Sequence, residues 1–463
     1  MYHTRFFSLA RFFLFACVAA SATAHSSPTI TLSENSGPPT SHIFVSGQGF
    51  EPNVGVNVFF DTKNEALVVT DGNGEFKNAK ISVPVSAPPG KHSVAALQRN
   101  NDEGAQTRFL VETDWSQFGF NANNTRLNPF ENVLSPRNVD SLQLRATFQT
   151  GSFTSTAPAV SNGIVYVASG NLYAFDMHSG KVLWSDATGT GLSSPAVAKG
   201  IVYVGSYNDD KLYALDAKTG AKIWDYTTSG PVDCPPTVAD GVVYFGSDDN
   251  LVRALDAATG ALLWSFPTGN LIRSAPAVSN GIVFVGSVDN SLYALNAKTG
   301  KKIWSYLTDG EIFISSPAVS DGIVYVASCD SGRTVFALNA STGDLVWKYV
   351  TGDGIQASPA IANGVVYVAS ADGNLYALDA YSGTLLWKYA GGFYTSSPAV
   401  ANGVVYIGGS DQVYGFDATK GTLLWSYTTD TGFQYASPTV ANGAVITGSD
   451  AGTVFAFAPT RNP

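Results

Sequence analysis

The chain has 463 residues, a formal net charge of −10 and 45% hydrophobic residues, but only 13% charged residues. This composition excludes a disordered chain, which would be more charged and less hydrophobic, and the acidic balance argues against a nucleic-acid partner. With 46 glycines, 21 tyrosines and 27 phenylalanines, the chain is predicted to be all-β rather than helical.

The first 24 residues have the pattern of an export signal. Two arginines precede an apolar run over 12–20, and Ala-Thr-Ala over 22–24 forms a cleavage site. A lipoprotein signal is the alternative, because residues 14–17 read Leu-Phe-Ala-Cys. No later stretch reaches the length of a membrane span. We therefore expect export, with no transmembrane segment after processing.

Residues 27–112 are predicted to form a small β-domain. Short alternating segments are separated by turn signals at 36–39, 71–74 and 88–90, which favours a β-sandwich. The segments 46–50, 70–74 and 87–90 resemble bacterial extracellular Ig-like modules. Two roles are open for such a module, a spacer or a second binding domain.

Residues 113–460 are predicted to form a second domain, in which the chain becomes periodic after Trp115. Each unit of about 40 residues offers four short strands and tight turns, which is the pattern of a propeller blade. The repeat is marked by eight prolines in the same context, 37 to 42 residues apart: Pro158, Pro195, Pro236, Pro276, Pro317, Pro359, Pro398 and Pro438.

Seven of these units also carry a motif that ends in tryptophan. Residues 214–224 read Ala-Leu-Asp-Ala-Lys-Thr-Gly-Ala-Lys-Ile-Trp, which closely resembles the tryptophan-docking motif of pyrroloquinoline quinone (PQQ)-type propellers. The resemblance implies an eight-bladed PQQ-like β-propeller in which these indoles pack between blades and have a structural role. The motif ends at Trp184, Trp224, Trp264, Trp304, Trp347, Trp387 and Trp425.

The last repeat lacks its tryptophan strand. Residues 142–150 align with that strand, with Ala146 at the tryptophan position. We therefore predict that this segment closes the eighth blade, because pairing the first strand with the last three removes open edges.

The segments before the repeated prolines vary most, and we expect them to gather at one mouth of the channel. Their aromatic and charged side chains suit recognition of a protein or stacking on a sugar. The candidate binding residues are Phe153, Asp233, Arg273, Glu311, Phe313, Gln356, Phe393, Tyr394, Gln434 and Tyr435.

The resemblance has an enzymatic and a non-catalytic branch. Quinoprotein dehydrogenases hold PQQ beside calcium in the channel, often near a vicinal disulfide. Here Cys234 and Cys329 lie far apart, and neither a haem motif nor long insertions are present. The bare repeats are more similar to the branch that includes the propeller subunit of the outer-membrane β-barrel assembly machinery.

These features favour a binding or scaffold protein of the bacterial envelope or extracellular space. It would be periplasmic, outer-membrane-associated or secreted, with a protein or a polysaccharide as its partner. No catalytic residue, metal site or cofactor is predicted. PQQ with calcium is expected only under the alternative, a PQQ-dependent dehydrogenase.

Overall fold

The computed structural model describes residues 27–186, 193–329, 332–429 and 431–460, so the predicted signal over 1–24 lies outside the described residues. The chain forms two compact units. Of the described residues, the first comprises 27–35, His42–Ser82 and His92–Phe109, and the second comprises Ser36–Ser41, Val83–Lys91 and those from Leu110 onward. No helix within these described ranges has the length and hydrophobicity of a membrane span.

The N-terminal strands are β1 (Thr29–Leu32), β2 (Ser36–Gly37), β3 (His42–Gln48), β4 (Gly55–Phe60), β5 (Lys63–Val69), β6 (Phe76–Ser82), β7 (Gly90–Gln98) and β8 (Gly104–Val111). They form two sheets, one in the order β1-β3-β6 and one in the order β2-β8-β7-β4-β5. Alternate residues of β4 are buried, as expected for strands that turn one face to a core. An Ig-like topology for this region stays a prediction.

The second unit is a multi-blade β-propeller, which confirms the predicted all-β class. Its described strands form eight sheets of four strands, numbered here in chain order, and the short β9 (Leu127–Asn128) extends sheet 7. A 3-10 turn at Val139–Ser141 is the one helical element in the described ranges, and it precedes β10 (Leu142–Gln149).

Sheets 1 to 4 are built from consecutive strands. They are β11 (Ala159–Ser161), β12 (Ile164–Ser169), β13 (Asn171–Asp176) and β14 (Val182–Asp186); β15 (Ala196–Ala198), β16 (Ile201–Ser206), β17 (Lys211–Asp216) and β18 (Lys222–Thr227); β19 (Thr237–Ala239), β20 (Val242–Gly246), β21 (Leu251–Asp256) and β22 (Leu262–Pro267); and β23 (Ala277–Ser279), β24 (Ile282–Ser287), β25 (Ser291–Asn296) and β26 (Lys302–Leu307).

Sheets 5 to 7 follow the same plan, and sheet 8 takes its last three strands from the end of the chain. They are β27 (Ala318–Ser320), β28 (Ile323–Ala327), β29 (Thr334–Asn339) and β30 (Leu345–Val350); β31 (Ala360–Ala362), β32 (Val365–Ala369), β33 (Gly373–Asp379) and β34 (Leu385–Phe393); β35 (Ala399–Ala401), β36 (Val404–Gly408), β37 (Gln412–Asp417) and β38 (Leu423–Thr428); and β39 (Thr439–Ala441), β40 (Ala444–Gly448) and β41 (Thr453–Pro459).

The core lies between neighbouring sheets. The second strand of each sheet is a run of buried residues, such as Val165–Ser169, because it is covered on both faces. It is entered through a tight turn in which Asn162 and Gly163 both have positive φ, as an Asn-Gly hairpin turn requires.

Sheet 8 is completed by β10, which pairs antiparallel with β41. Ala146 stands opposite Ala456, whereas Trp184 stands opposite Ala174 in sheet 1. The inner strands contact one another in sequence, and β39 contacts β11. The first strand after the 3-10 turn and the last strand of the chain therefore close the ring.

Seven tryptophans join sheets 1 to 7, each to the sheet that follows it. The Trp224 Nε1 donates to the carbonyl oxygen of Ala257 in sheet 3, at 3.1 Å. A Cβ on Gly260 would lie 2.8 Å from that indole, so only glycine allows this approach. Trp425 follows the same plan across the closure and donates to the Leu142 carbonyl oxygen at 3.2 Å. The corresponding donors in sheets 1 and 3 to 6 are Trp184, Trp264, Trp304, Trp347 and Trp387.

One tyrosine at this joint lacks the partner that its equivalents have. The Tyr367 hydroxyl donates to the Ala418 carbonyl oxygen at 3.0 Å, beside the Trp387 indole. The Tyr406 hydroxyl is buried and finds no hydrogen-bond partner in the described chain, because sheet 8 has no tryptophan-docking turn.

We expect Tyr406→Phe to leave the free energy of unfolding unchanged or to raise it by up to about 1 kcal/mol, because it removes an unsatisfied buried hydroxyl. The matched control, Tyr367→Phe, is expected to lower it by about 1 kcal/mol, because the Ala418 carbonyl loses a donor. Urea unfolding of the two variants measures the difference. An equal decrease in the free energy of unfolding of both variants would contradict the prediction that the Tyr406 hydroxyl is unsatisfied.

Candidate functional site: a pocket at the channel mouth

A segment outside the repeats, here called the inner segment (residues 113–128), follows the inner strands around the ring. Trp115 exchanges two backbone hydrogen bonds with Val160 of sheet 1. The inner segment then bonds the equivalent residue of every other sheet, which satisfies the exposed edges of the inner strands. These residues are Val197, Val238, Val278, Val319, Ile361, Val400 and Val440.

Arg126 fixes the inner segment from within. Its guanidinium is fully buried and donates to the carbonyl oxygens of Phe118 at 2.7 Å and Pro398 at 2.6 Å. It also reaches the carbonyl oxygens of Ser397 and Pro438, at 3.3 and 3.0 Å. Burial lowers the pKa of Arg126 to about 9, so the group is still charged at neutral pH. The positive charge of Arg126 is stabilised by the dipoles of these four carbonyl groups.

Above the inner segment lies a cavity of about 300 Å³, here called the mouth pocket. Phe118 lines it from the inner segment, and every one of the eight sheets contributes residues from just before its repeated proline. The lining residues are Phe118, Phe153, Ser155, Ser194, Asp233, Pro235, Arg273, Phe313, Ile314, Ser316, Gln356, Thr395, Ser397, Tyr435 and Ser437.

Aromatic rings form much of the pocket wall. Phe153 and Tyr435 meet edge to face, with ring centroids 5.4 Å apart. The Arg273 guanidinium lies 5.2 Å from the centroid of the Phe313 ring. Such rings give large apolar contact surfaces with little side-chain freedom.

Two carboxylates flank Arg273. Asp248 accepts two hydrogen bonds from it, at 3.1 and 2.7 Å. Asp233 Oδ2 lies 3.6 Å from the Arg273 guanidinium, and its side chain is only 4% exposed. Burial raises the pKa of Asp233 to about 6, and the nearby Arg273 opposes that rise. The three groups carry a formal charge of −1 when Asp233 is ionised.

Serine hydroxyls line the pocket in a regular way. The Ser194 hydroxyl accepts a hydrogen bond from the Ala157 amide at 2.9 Å, which links sheet 2 to sheet 1. Ser316, Ser397 and Ser437 accept equivalent bonds from the preceding sheets, each at 2.9 Å. These serines thus join the sheets at the channel and place hydroxyl groups on its wall.

The structure brings six of the predicted binding residues into the mouth pocket: Phe153, Asp233, Arg273, Phe313, Gln356 and Tyr435. Four others do not line it. Phe393 is 1% exposed and packs on Tyr414 in the core, so its ring is unavailable to a ligand. Tyr394 is exposed, and its ring lies edge to face with that of Tyr435, with centroids 6.5 Å apart. Glu311 and Gln434 accept hydrogen bonds through their backbone carbonyls.

Sequence reasoning missed the serines, Phe118 and Asp248. The serines recur directly before the repeated prolines, and this pattern could have revealed them. Phe118 lies in a non-repeating stretch, where only its aromatic and asparagine-rich neighbours set it apart. Asp248 lies on a turn, 25 residues before Arg273, and nothing in its local sequence marks it as a partner.

The sequence matches a known protein family over most of its length. A model described as "Outer membrane protein assembly factor BamB" matches residues 115–234, 227–315, 309–395 and 390–461, which is well over half of the chain. The chain belongs to this PQQ repeat family. No curated protein matched the sequence.

Solved structures from both branches of PQQ-like propellers share the fold. BamB from Moraxella catarrhalis is 19% identical, with a TM-score of 0.58, and the match covers 68% of this chain and 99% of BamB. The quinohemoprotein alcohol dehydrogenase ADHIIG from Pseudomonas putida HK5 is 17% identical, with a TM-score of 0.63 over 76% of this chain and 81% of the enzyme. The computationally designed Ika8 protein is 18% identical, with a TM-score of 0.60 over 68% of this chain and 99% of Ika8.

The buried Asp233 predicts a pH-dependent stability. Because its pKa is raised above the usual value of about 4, the folded chain holds this proton more tightly than the unfolded chain. The stability that it contributes therefore falls as the pH rises from about 4 to about 6, and stays low above that range. We expect Asp233→Asn to raise the free energy of unfolding by about 1 to 3 kcal/mol at pH 7.5, with little change at pH 4.

Urea unfolding across this pH range checks the expectation. Asp411→Asn, a substitution at an exposed aspartate, is the control and should be neutral at both pH values. If Asp233→Asn raised the free energy of unfolding equally at both pH values, the result would contradict the predicted role of the Asp233 pKa.

Proposed function

We propose that this protein is an exported, non-catalytic binding protein of the bacterial envelope or extracellular space, and that the mouth pocket holds its partner. The N-terminal unit is then an Ig-like module that spaces the propeller from its surroundings. The observation that carries the proposal is the convergence of all eight sheets on one aromatic-walled pocket, above an inner segment bonded to every sheet. Concave sites with apolar walls and a few convergent polar groups are typical binding sites.

The chemistry of the pocket supports binding over quinone chemistry. PQQ carries several carboxylates, whereas the described lining offers Arg273 as its one cation, already paired with Asp248. The adjacent Asp233 would repel those carboxylates. Within the described ranges, no group of three or more His, Cys, Asp or Glu residues is placed to hold a metal ion. The residues present therefore fit a calcium–quinone pair poorly.

Affinity capture from envelope extracts tests the proposal when it is combined with a blocked pocket. Gln356→Trp would fill the pocket, because Gln356 lines its wall. We expect the wild-type protein to retain a partner that the variant loses, while Tyr381→Ala, an exposed substitution outside the pocket, retains it. Circular dichroism confirms that the variants fold.

Two results would overturn the proposal. One is a partner that the Gln356→Trp variant retains in full. The other is a melting shift on addition of PQQ and Ca²⁺ together with reduction of an electron-accepting dye, which would establish the dehydrogenase alternative.

A further inference from the structure

Asp233 lines the mouth pocket, and one of its two carboxylate oxygens needs a hydrogen-bond donor. Asp233 Oδ1 is buried, and the described residues provide no hydrogen-bond partner for it. The other oxygen, Oδ2, faces Arg273 at 3.6 Å. Buried polar atoms without a partner are rare in folded proteins, and a ligand that donates to Oδ1 would remove the cost of leaving it unpaired.

The serines present the opposite chemistry. In Ser194, Ser316, Ser397 and Ser437 the hydroxyl oxygen already accepts a backbone N–H. Each hydroxyl hydrogen can therefore be donated toward the cavity. The pocket lining thus offers one strong acceptor and several donors around the same cavity.

This arrangement selects against charged groups. An anion would face the net negative cluster of Asp233, Asp248 and Arg273. An ammonium group could donate to Asp233, but it has no lone pair to accept from the serines and it would lie close to Arg273. Alcohol hydroxyls both donate and accept, so they can donate to the Asp233 carboxylate and accept from the serine hydroxyls.

The aromatic walls and the volume limit the shape. A sugar ring has apolar C–H faces that pack on aromatic rings, and Phe153, Phe313 and Tyr435 supply such surfaces. A cavity of about 300 Å³ is at the small end of ligand pockets, with room for one ring. Any longer chain has to leave through the mouth.

We infer that the mouth pocket binds one neutral pyranose ring of a saccharide, with Asp233 accepting from a ring hydroxyl and the serines donating to others. The inference rests on the proposed binding function and names its ligand class. It makes Asp233 and the aromatic wall the groups that determine specificity.

Titration calorimetry of the whole protein with neutral and charged six-membered rings tests the inference. The probes are methyl hexopyranosides (glucose, galactose and mannose forms), glucuronate and cyclohexylamine. We expect saturable binding of at least one neutral pyranoside, with glucuronate and cyclohexylamine binding at least tenfold more weakly. A failure of all three pyranosides to bind would overturn the inference, as would equal binding of either charged ring.

Variants identify the groups responsible. Asp233→Ala and Tyr435→Ala are each expected to weaken pyranoside binding at least tenfold, while Asp233→Asn, whose amide oxygen still accepts, keeps part of it. Tyr381→Ala should bind as the wild type does, and an unchanged affinity in both alanine variants at the pocket would overturn the inference. If no sugar binds but Gln356→Trp still loses its envelope partner, the inference fails and the proposed function stands.

Discussion

Deletion of residues 113–150 is expected to abolish cooperative folding of the whole ring. The deletion removes β10, which pairs with β41 along its length. It also removes the Leu142 carbonyl that accepts from Trp425, and the inner segment that bonds all eight inner strands. The expected loss of more than about 5 kcal/mol is comparable with the total stability of a typical domain.

Tryptophan fluorescence during thermal melting measures this effect, because seven indoles lie between neighbouring sheets. Addition of residues 113–150 as a separate peptide is the control and should restore part of the transition, since the segment acts by non-covalent pairing. A shortened chain that melts as the full-length chain does would refute the closure of the ring by β10.

The repeats could be predicted because their signals are local and occur many times. An Asn-Gly turn and a docking tryptophan each depend on a few neighbouring residues, and the period of the prolines places each unit. Even the closing strand could be aligned, because residues 142–150 keep the repeat's pattern with Ala146 in place of tryptophan.

The contacts of Arg126 and the charge cluster of the mouth pocket could not be predicted in the same way. Arg126 bonds Pro398, 272 residues away, and that contact exists only once the ring has closed. Asp233, Asp248 and Arg273 come together because two sheets meet, and no repeated pattern marks them. Single, long-range contacts of this kind depend on the assembled fold and leave no periodic signal.

Arg126→Ala is expected to lower the free energy of unfolding by about 3 to 5 kcal/mol. After the deletion of residues 113–150, this is the largest effect that we expect. The substitution leaves the carbonyls of Pro398 and Pro438 without the donor that the structure gives them. It also opens a cavity, because the Arg126 side chain is fully buried. The control is Arg137→Ala, an exposed arginine just beyond the inner segment, for which we expect a change within about 0.5 kcal/mol.

Arg126→Met separates hydrogen bonding from packing. In other sheets a side chain donates to the equivalent proline carbonyl: Thr439 reaches Pro158, and Thr237 reaches Pro276, each at 2.6 Å. Because this carbonyl has a side-chain donor in those sheets too, we expect methionine, which fills much of the volume without donating, to recover less than half of the loss. Urea unfolding gives the free energies, and amide exchange at Val400, whose N–H donates to the Arg126 carbonyl, reports on the inner segment directly. Full recovery by methionine would show that Arg126 stabilises the ring by packing alone.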